Sequence, residues 1–245
     1  MSDLLIEHPD VRRGRHVVLY ASCLRMPLPG ALAVVGLNGS GKTTLFMQLT
    51  GTLAGARRAA VTIDGRVPAL AYVPQHAALP AWLAVDDAVR LYGLELSGLQ
   101  ECLPQLYLDE LAGQRCGSLS AGQRQALAIA IALGLNAPLT LLDEPFAALD
   151  FRRRTGVIAR LRERIGRPDR GVILSSQSAA DLRPLCSHYL VLHGGRCVFS
   201  GTREQLTRGQ DEIDADERRL LQILSRADAP GGLPASAMET PRRPA

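Results

Sequence analysis

The chain has 245 residues, 47% hydrophobic and 21% charged, a balance that suits a globular protein able to bury a substantial core. Its net charge of +4 is too mild to mark a nucleic-acid partner, so the pair Arg57-Arg58 and the run Arg152-Arg153-Arg154 read as solvated faces. The longest clean apolar run, "ALAIAIALGL" from Ala126 to Leu135, reaches about half of the roughly 20 residues that a spanning helix requires. The start "MSDLLIEHPD" lacks the basic-then-apolar pattern of a signal peptide. Five widely spaced cysteines (Cys23, Cys102, Cys116, Cys186, Cys197) read as reduced thiols rather than a disulfide framework or metal site.

In chain order, strand-like and helix-like segments alternate, which predicts an α/β fold with a largely parallel sheet. "HVVLYASC" and "ALAVVG" read as strands, the second running into a glycine-rich turn, and "KTTLFMQLTGTL" as the helix behind it. "AAVTIDG" and "LAYVP" are short strands. From His76 to Gly117 the character changes to short amphipathic helices, "WLAVDDAVRLYGL" and "LQECLPQLYLDEL", with no strand between them. The helix "GQRQALAIAIALGL" follows, then the strand "PLTLLD", the helix "FRRRTGVIARLRERI" and the strand "GVILSS". "HYLVLHGGRCVFSG" predicts a hairpin turning at Gly194-Gly195, and "TREQL" and "EIDADERRLLQILSRA" predict terminal helices. The remainder, residues 226–245, is rich in Pro, Gly and Ala and is expected to be a disordered tail.

The segment "GLNGSGKTT", Gly36 to Thr44, fits G-x-x-x-x-G-K-[ST] between an apolar strand and a helix. Gly36, Gly39 and Gly41, with Asn38 and Ser40 among them, let backbone wrap a polyphosphate while the N–H groups of the helix start point at it. Lys42 reaches the β- and γ-phosphates, Thr43 supplies a hydroxyl for Mg²⁺, and Thr44 continues the cradle. Lys42 is also the only lysine among 28 basic residues, so its location is unlike chance. Downstream, "LTLLDEP" places Asp143 and Glu144 at the end of an apolar strand, where open α/β sheets bind ligands. Asp143 suits Mg²⁺, and Glu144 is placed to orient and deprotonate a water attacking the γ-phosphate.

Together these segments resemble the ATP-binding cassette family, the nucleotide-binding subunits of membrane transporters. "GLNGSGKTT" resembles its Walker A, "YVPQ" ending in Gln75 its Q-loop and "LSAGQ" (Leu119–Gln123) its signature motif. "LTLLDEP" resembles its Walker B and "AALD" ending in Asp150 its D-loop, all in the family's order over residues 1 to about 210. The resemblance implies a P-loop NTPase core, a mostly parallel sheet flanked by helices, with a small antiparallel β portion. It further implies an inserted helical subdomain over about 76–136 within a domain spanning 1–225. ATP and Mg²⁺ are the implied ligands, with Gln75 completing the metal shell beside Thr43 and Asp143. Ser120, Gly122 and Gln123 would close over the γ-phosphate held by a second nucleotide-binding subunit, in a homo- or heterodimer. A separate transmembrane permease subunit would dock on the helical subdomain, placing the chain peripherally at the cytoplasmic face of the cell membrane. A single cassette without a long heptad insertion argues against the DNA-repair and translation-factor branches. "LYGL" and "VLHGGRCVFSGTREQL" resemble exporter-type cassettes and "DEPFAALD" occurs among importers, so the expectation leans to export.

Three positions depart from the family pattern. No aromatic residue precedes the loop where one usually stacks on adenine; the neighbourhood reads "DVRRGRH", leaving Arg12 or Arg13 as candidates, with Tyr20 too close to the loop. Ile131 stands where an arginine is common. Gln177 stands after "VILSS" where a histidine usually contacts the γ-phosphate, so Gln177 is expected to slow hydrolysis without abolishing it, Glu144 being present. The alternatives are a regulatory subunit that binds ATP without turnover, and a soluble cassette ATPase outside transport.

Overall fold

The computed structural model describes residues 2–209 and 215–228. Its centre is a sheet of six strands in the order β11-β10-β5-β9-β8-β7. These are β5 (Gly30–Val35), β7 (Leu70–Val73), β8 (Leu139–Leu142), β9 (Gly171–Ser176), β10 (His188–His193) and β11 (Arg196–Thr202). All adjoining pairs are parallel except β10 with β11, the hairpin that turns at Gly194-Gly195. The parallel strands are apolar runs because both faces are covered. Along β5, Ala31, Ala33 and Val35 enter one core while Leu32 and Val34 enter the other, the period-two alternation of a strand buried twice.

On one face lie α4 (Ala121–Gly134) and α5 (Phe151–Ile165), whose Leu127, Ile129, Ile131, Val157 and Leu161 are buried. On the other, α1 (Lys42–Thr50) is held between the large sheet and an antiparallel sheet ordered β4-β1-β6. That sheet comprises β1 (Ser2–His8), β4 (Ser22–Leu28) and β6 (Ala60–Ile63), and its Leu4, Met26 and Val61 pack with Leu45, Phe46 and Leu49 of α1. A ribbon of β2 (Val11–Arg13) and β3 (His16–Leu19) projects beside the phosphate loop. Between β7 and α4 stand α2 (Val85–Arg90), α3 (Leu96–Cys102) and three 3-10 turns; Pro104 opens the first of these and stops α3.

The strand expected over "HVVLYASC" is two strands, β3 and β4. The chain breaks at Tyr20-Ala21, where Tyr20 N–H donates to Gly195 O and Ala21 N–H to Asp10 Oδ1. β1 and β2 carried no sequence expectation, because polar residues interrupt both. The chain closes with α6 (Ala179–Leu182), α7 (Arg203–Thr207) and α8 (Ala215–Ala227). The expected boundary at 225 thus falls inside α8, which carries on to Ala227; the tail over 229–245 lies outside the described residues. No described helix is long and apolar enough to cross a membrane.

Candidate functional site

β5 delivers the chain into the phosphate loop at its C-terminal end. Gly41, at φ 107° and capping α1, adopts a conformation that a side chain resists, which lets the loop reverse into the helix. The loop is braced from behind: Gly36 N–H donates to Ser176 O at 3.3 Å, and Gly195 N–H to Ser40 O at 3.1 Å. Ser40 is 5% exposed, and its Oγ is buried without a hydrogen-bond partner. A buried unpaired hydroxyl costs free energy, and a phosphate oxygen would satisfy it.

The Lys42 ammonium, 6% exposed, donates to Gly36 O at 2.7 Å and Leu37 O at 3.3 Å and lies 3.2 Å from Glu144 Oε1. Glu144 is 9% exposed, so the two charges are desolvated together and removing either leaves the other uncompensated. Thr43 Oγ1 donates to Asp143 Oδ2 at 2.7 Å, joining the helix start to the end of β8. Asp143 is fully buried, and its Oδ1 accepts from Ser175 Oγ. The same Ser175 Oγ accepts from Glu144 N–H at 2.8 Å. Glu144 sits at φ 48°, a conformation that non-glycine residues adopt at a cost and that the Ser175 bond helps to hold. Burial and the Asp143 charge push the Tyr72 phenol well above its ordinary range.

An open cleft collects Asn38, Gly39, Ser40, Gly41, Lys42, Thr43, Thr44, Gln75 and Glu144, with Arg13 and Val18 from the β2–β3 ribbon forming its far wall. Asp143 stands directly beneath, bonded to Thr43. The Thr43 hydroxyl and the Asp143 carboxylate are oxygen ligands, as a hard cation such as Mg²⁺ prefers. Of the candidates for the missing aromatic, Arg13 lines the cleft and Arg12 does not. Tyr20 is occupied elsewhere, its ring 3.5 Å beneath the Arg196 guanidinium. Ile131 is 4% exposed within the core, so the arginine it replaces has no polar site to fill here.

The remaining expected residues are not in this cleft. Ser120 caps α4 in a reciprocal box: Gln123 N–H donates to Ser120 Oγ at 3.2 Å and Ser120 N–H to Gln123 Oε1 at 2.9 Å. Gly122 faces the Ala148 carbonyl, which an added Cβ would meet at 2.6 Å, so this helix start lies against the segment leading to Asp150. Asp150 caps α5 by accepting from Arg153 N–H at 2.9 Å, and that bond, with the Arg153 guanidinium, holds its carboxyl below the usual carboxylate range. Ser120, Asp150 and Gln177 are all exposed, and Gln177 follows β9 immediately. Sequence reasoning missed Ser175, whose signal was a hydroxyl at the buried end of an otherwise apolar strand. It also missed Val18, which nothing in the sequence distinguishes.

A phosphate loop at the end of a parallel strand, with two acids just past the end of β8, two strands away across β9, defines a P-loop nucleotide-binding protein. A family model described as ABC transporter matches residues 24–147. The molybdenum import ATP-binding protein ModC of Hahella chejuensis is 36% identical over 203 residues, 74% of this chain and 56% of its own length. The phosphonates import ATP-binding protein PhnC 2 of Roseobacter denitrificans is 28% identical over 235 residues, 84% of this chain and 86% of its own length. A solved ATP-binding subunit of an ABC transporter superposes with a TM-score of 0.76 at 26% identity, covering 89% of this chain and 99% of that one. The chain belongs to the ABC transporter family. It spans little more than half of the first of these relatives. Both named relatives are import proteins, which runs against the lean to export drawn from "LYGL" and the β10–β11 segment.

Proposed function

We propose that the chain is the ATP-binding and ATP-hydrolysing subunit of a transporter, one ATPase domain with a helical insertion, working through a separate membrane permease. Import is the favoured direction, because the relatives are import proteins. The observation that carries the reading is the buried network Lys42–Glu144, Thr43–Asp143–Ser175 at the edge of an open cleft. In it Lys42 and the N–H groups of Gly39 to Thr44 hold the phosphates of ATP, and the ribbon residues Arg13 and Val18 flank the base. Mg²⁺ would be held by Thr43, by Asp143 and by Gln75, and would neutralise charge on the phosphates. Glu144 takes the proton of the attacking water, and Gln177 offers a neutral donor near the γ-phosphate where a histidine is usual.

The cleft is open on one side, while Ser120 and Asp150, exposed, and Gly122 and Gln123, half-buried, form a ledge elsewhere on the chain. A second subunit placed head to tail brings one chain's ledge to the other's cleft, and Phe151, 84% exposed beside Asp150, supplies apolar surface for that meeting. Trp82, Leu91 and Tyr92, 74%, 71% and 47% exposed on either side of α2, offer apolar side chains to a membrane partner at the cytoplasmic face. Steady-state ATP turnover of the chain and its Glu144→Gln variant tests the reading. Turnover that falls by about 10²–10³-fold in the variant supports it. Wild-type turnover no higher than that of Glu144→Gln, with ATP still bound, overturns it in favour of a regulatory subunit.

A further inference from the structure

The segment that carries Gln177 is held by a residue outside every motif. Glu217, half-buried on α8, accepts through Oε1 from Ser178 Oγ at 2.5 Å and from Ala180 N–H at 3.1 Å. It therefore serves as the cap of α6, whose own preceding residue, Ser178, makes no side-chain cap bond. On the other side of Gln177, Ser176 is tied inward: its carbonyl accepts from Gly36 N–H of the phosphate loop, and its Oγ accepts from Ser178 N–H at 3.1 Å. One turn along, Asp181 binds Arg154 of α5 at 2.6 Å, four residues after Asp150. Gln177 thus sits in a short span pinned at one end by the phosphate loop and at the other by α8.

The attachment of α8 does not depend on Glu217. Ala215, Leu220, Ile223 and Leu224 are buried, and the fully buried Asp216 meets Arg203 at 3.3 Å and Arg183 at 3.8 Å. Glu217 is a separate carboxylate whose bonds go to the backbone and hydroxyl just beyond Gln177. A neutral amide donor brings no net charge of its own and depends more on alignment, so holding its backbone matters more here than it would for an imidazolium.

We infer that Glu217 is a positioning residue that sets the backbone of residues 177–180 and thereby aims Gln177 at the γ-phosphate, which makes α8 part of the hydrolytic apparatus. The inference rests on the ATPase reading above. It requires that removing Glu217 slows turnover only while Gln177 is present.

The test is a double-mutant cycle on the full chain, comparing wild type, Glu217→Ala, Glu217→Gln, Gln177→Ala and Gln177→Ala/Glu217→Ala. Glu217→Ala is expected to lower kcat by about 10-fold with KM for ATP nearly unchanged, because misaimed groups cost rate more than binding. Glu217→Gln keeps an acceptor oxygen and is expected to recover most of that loss. In the Gln177→Ala background Glu217→Ala is expected to have no further effect. Hydrogen exchange of the ligand-free chain supplies a readout independent of turnover: the Ala180 amide should exchange faster in Glu217→Ala while α8 stays protected. Losses that multiply in the double variant, or unchanged exchange at residues 177–182, would overturn the inference. Should wild type turn over no faster than Glu144→Gln, the ATPase reading fails instead, and the exchange result alone decides whether Glu217 holds this segment.

Discussion

The cleft around Lys42 and the ledge around Ser120 use the same device, a helix start that presents N–H groups, in opposite surroundings. At the cleft the groups are buried and cross-linked: Lys42 to Glu144, Thr43 to Asp143, Asp143 to Ser175. At the ledge Ser120 is exposed and satisfied only by its own helix, through Gln123. Buried polar groups need partners fixed in advance, whereas an exposed cap can exchange a local bond for a ligand at small cost. On the proposed reading, one region holds a nucleotide within the chain, and the other meets one from outside.

Breaking the cleft should have the larger effect. Lys42→Ala strands Glu144 as a buried unpaired carboxylate and removes the cation from the phosphates. It is expected to abolish ATP binding by the isolated chain, measured by equilibrium titration, and to lower thermal stability by about 3 kcal/mol. Breaking the ledge should leave binding intact. Gly122→Ala forces a Cβ against the Ala148 carbonyl, displacing the helix start from the approach to Asp150. The expected result is an ATP affinity of the lone chain within about twofold of wild type, with turnover lower by about 10-fold or more. A parallel loss of affinity would erase the distinction between the two regions.

Gln177 is exposed like the ledge yet directly follows β9, whose Ser176 bonds the phosphate loop, and Gln177→His sharpens its assignment. Restoring an imidazole is expected to raise kcat by a few fold, about what a better-placed donor supplies. A drop in kcat would show that glutamine is the fitted residue here. The smallest effect concerns the antiparallel sheet. His8, bonded to Ser22 Oγ at 2.7 Å, is buried, and burial depresses its pKa below the ordinary 6.5. The unfolded chain then takes up the proton more readily than the folded one, so stability is full above pH 6.5 and declines as pH falls through it. His8→Gln should flatten that slope in denaturation curves recorded between pH 7 and pH 5.

Much of this was legible in the sequence because local chemistry and tertiary role coincide. "GLNGSGKTT" is a turn, a helix cap and a phosphate cradle at once, and "LTLLDEP" is both a buried strand and its acidic tip. Gln177 stood out because the serines before it marked the strand end. What could not be read were relations between distant segments. Ser175 bonds to Asp143 and Glu144 because β8 and β9 are neighbours, and Val18 walls the cleft because β2–β3 folds back over the loop. The break at Tyr20 has the same origin, since Gly195 supplies the carbonyl that ends β3. The lean to export drew on a helical segment and on the hairpin that braces the phosphate loop, and the importing relatives weigh against it.

The measurement closest to the central claim is sedimentation velocity of the Glu144→Gln chain with ATP and Mg²⁺. If the cleft of one chain is completed by the ledge of another, the variant binds ATP, cannot turn it over and sediments as a dimer. Addition of Ser120→Arg should return it to a monomer. A Glu144→Gln chain that saturates with ATP and remains monomeric at all concentrations would contradict the account.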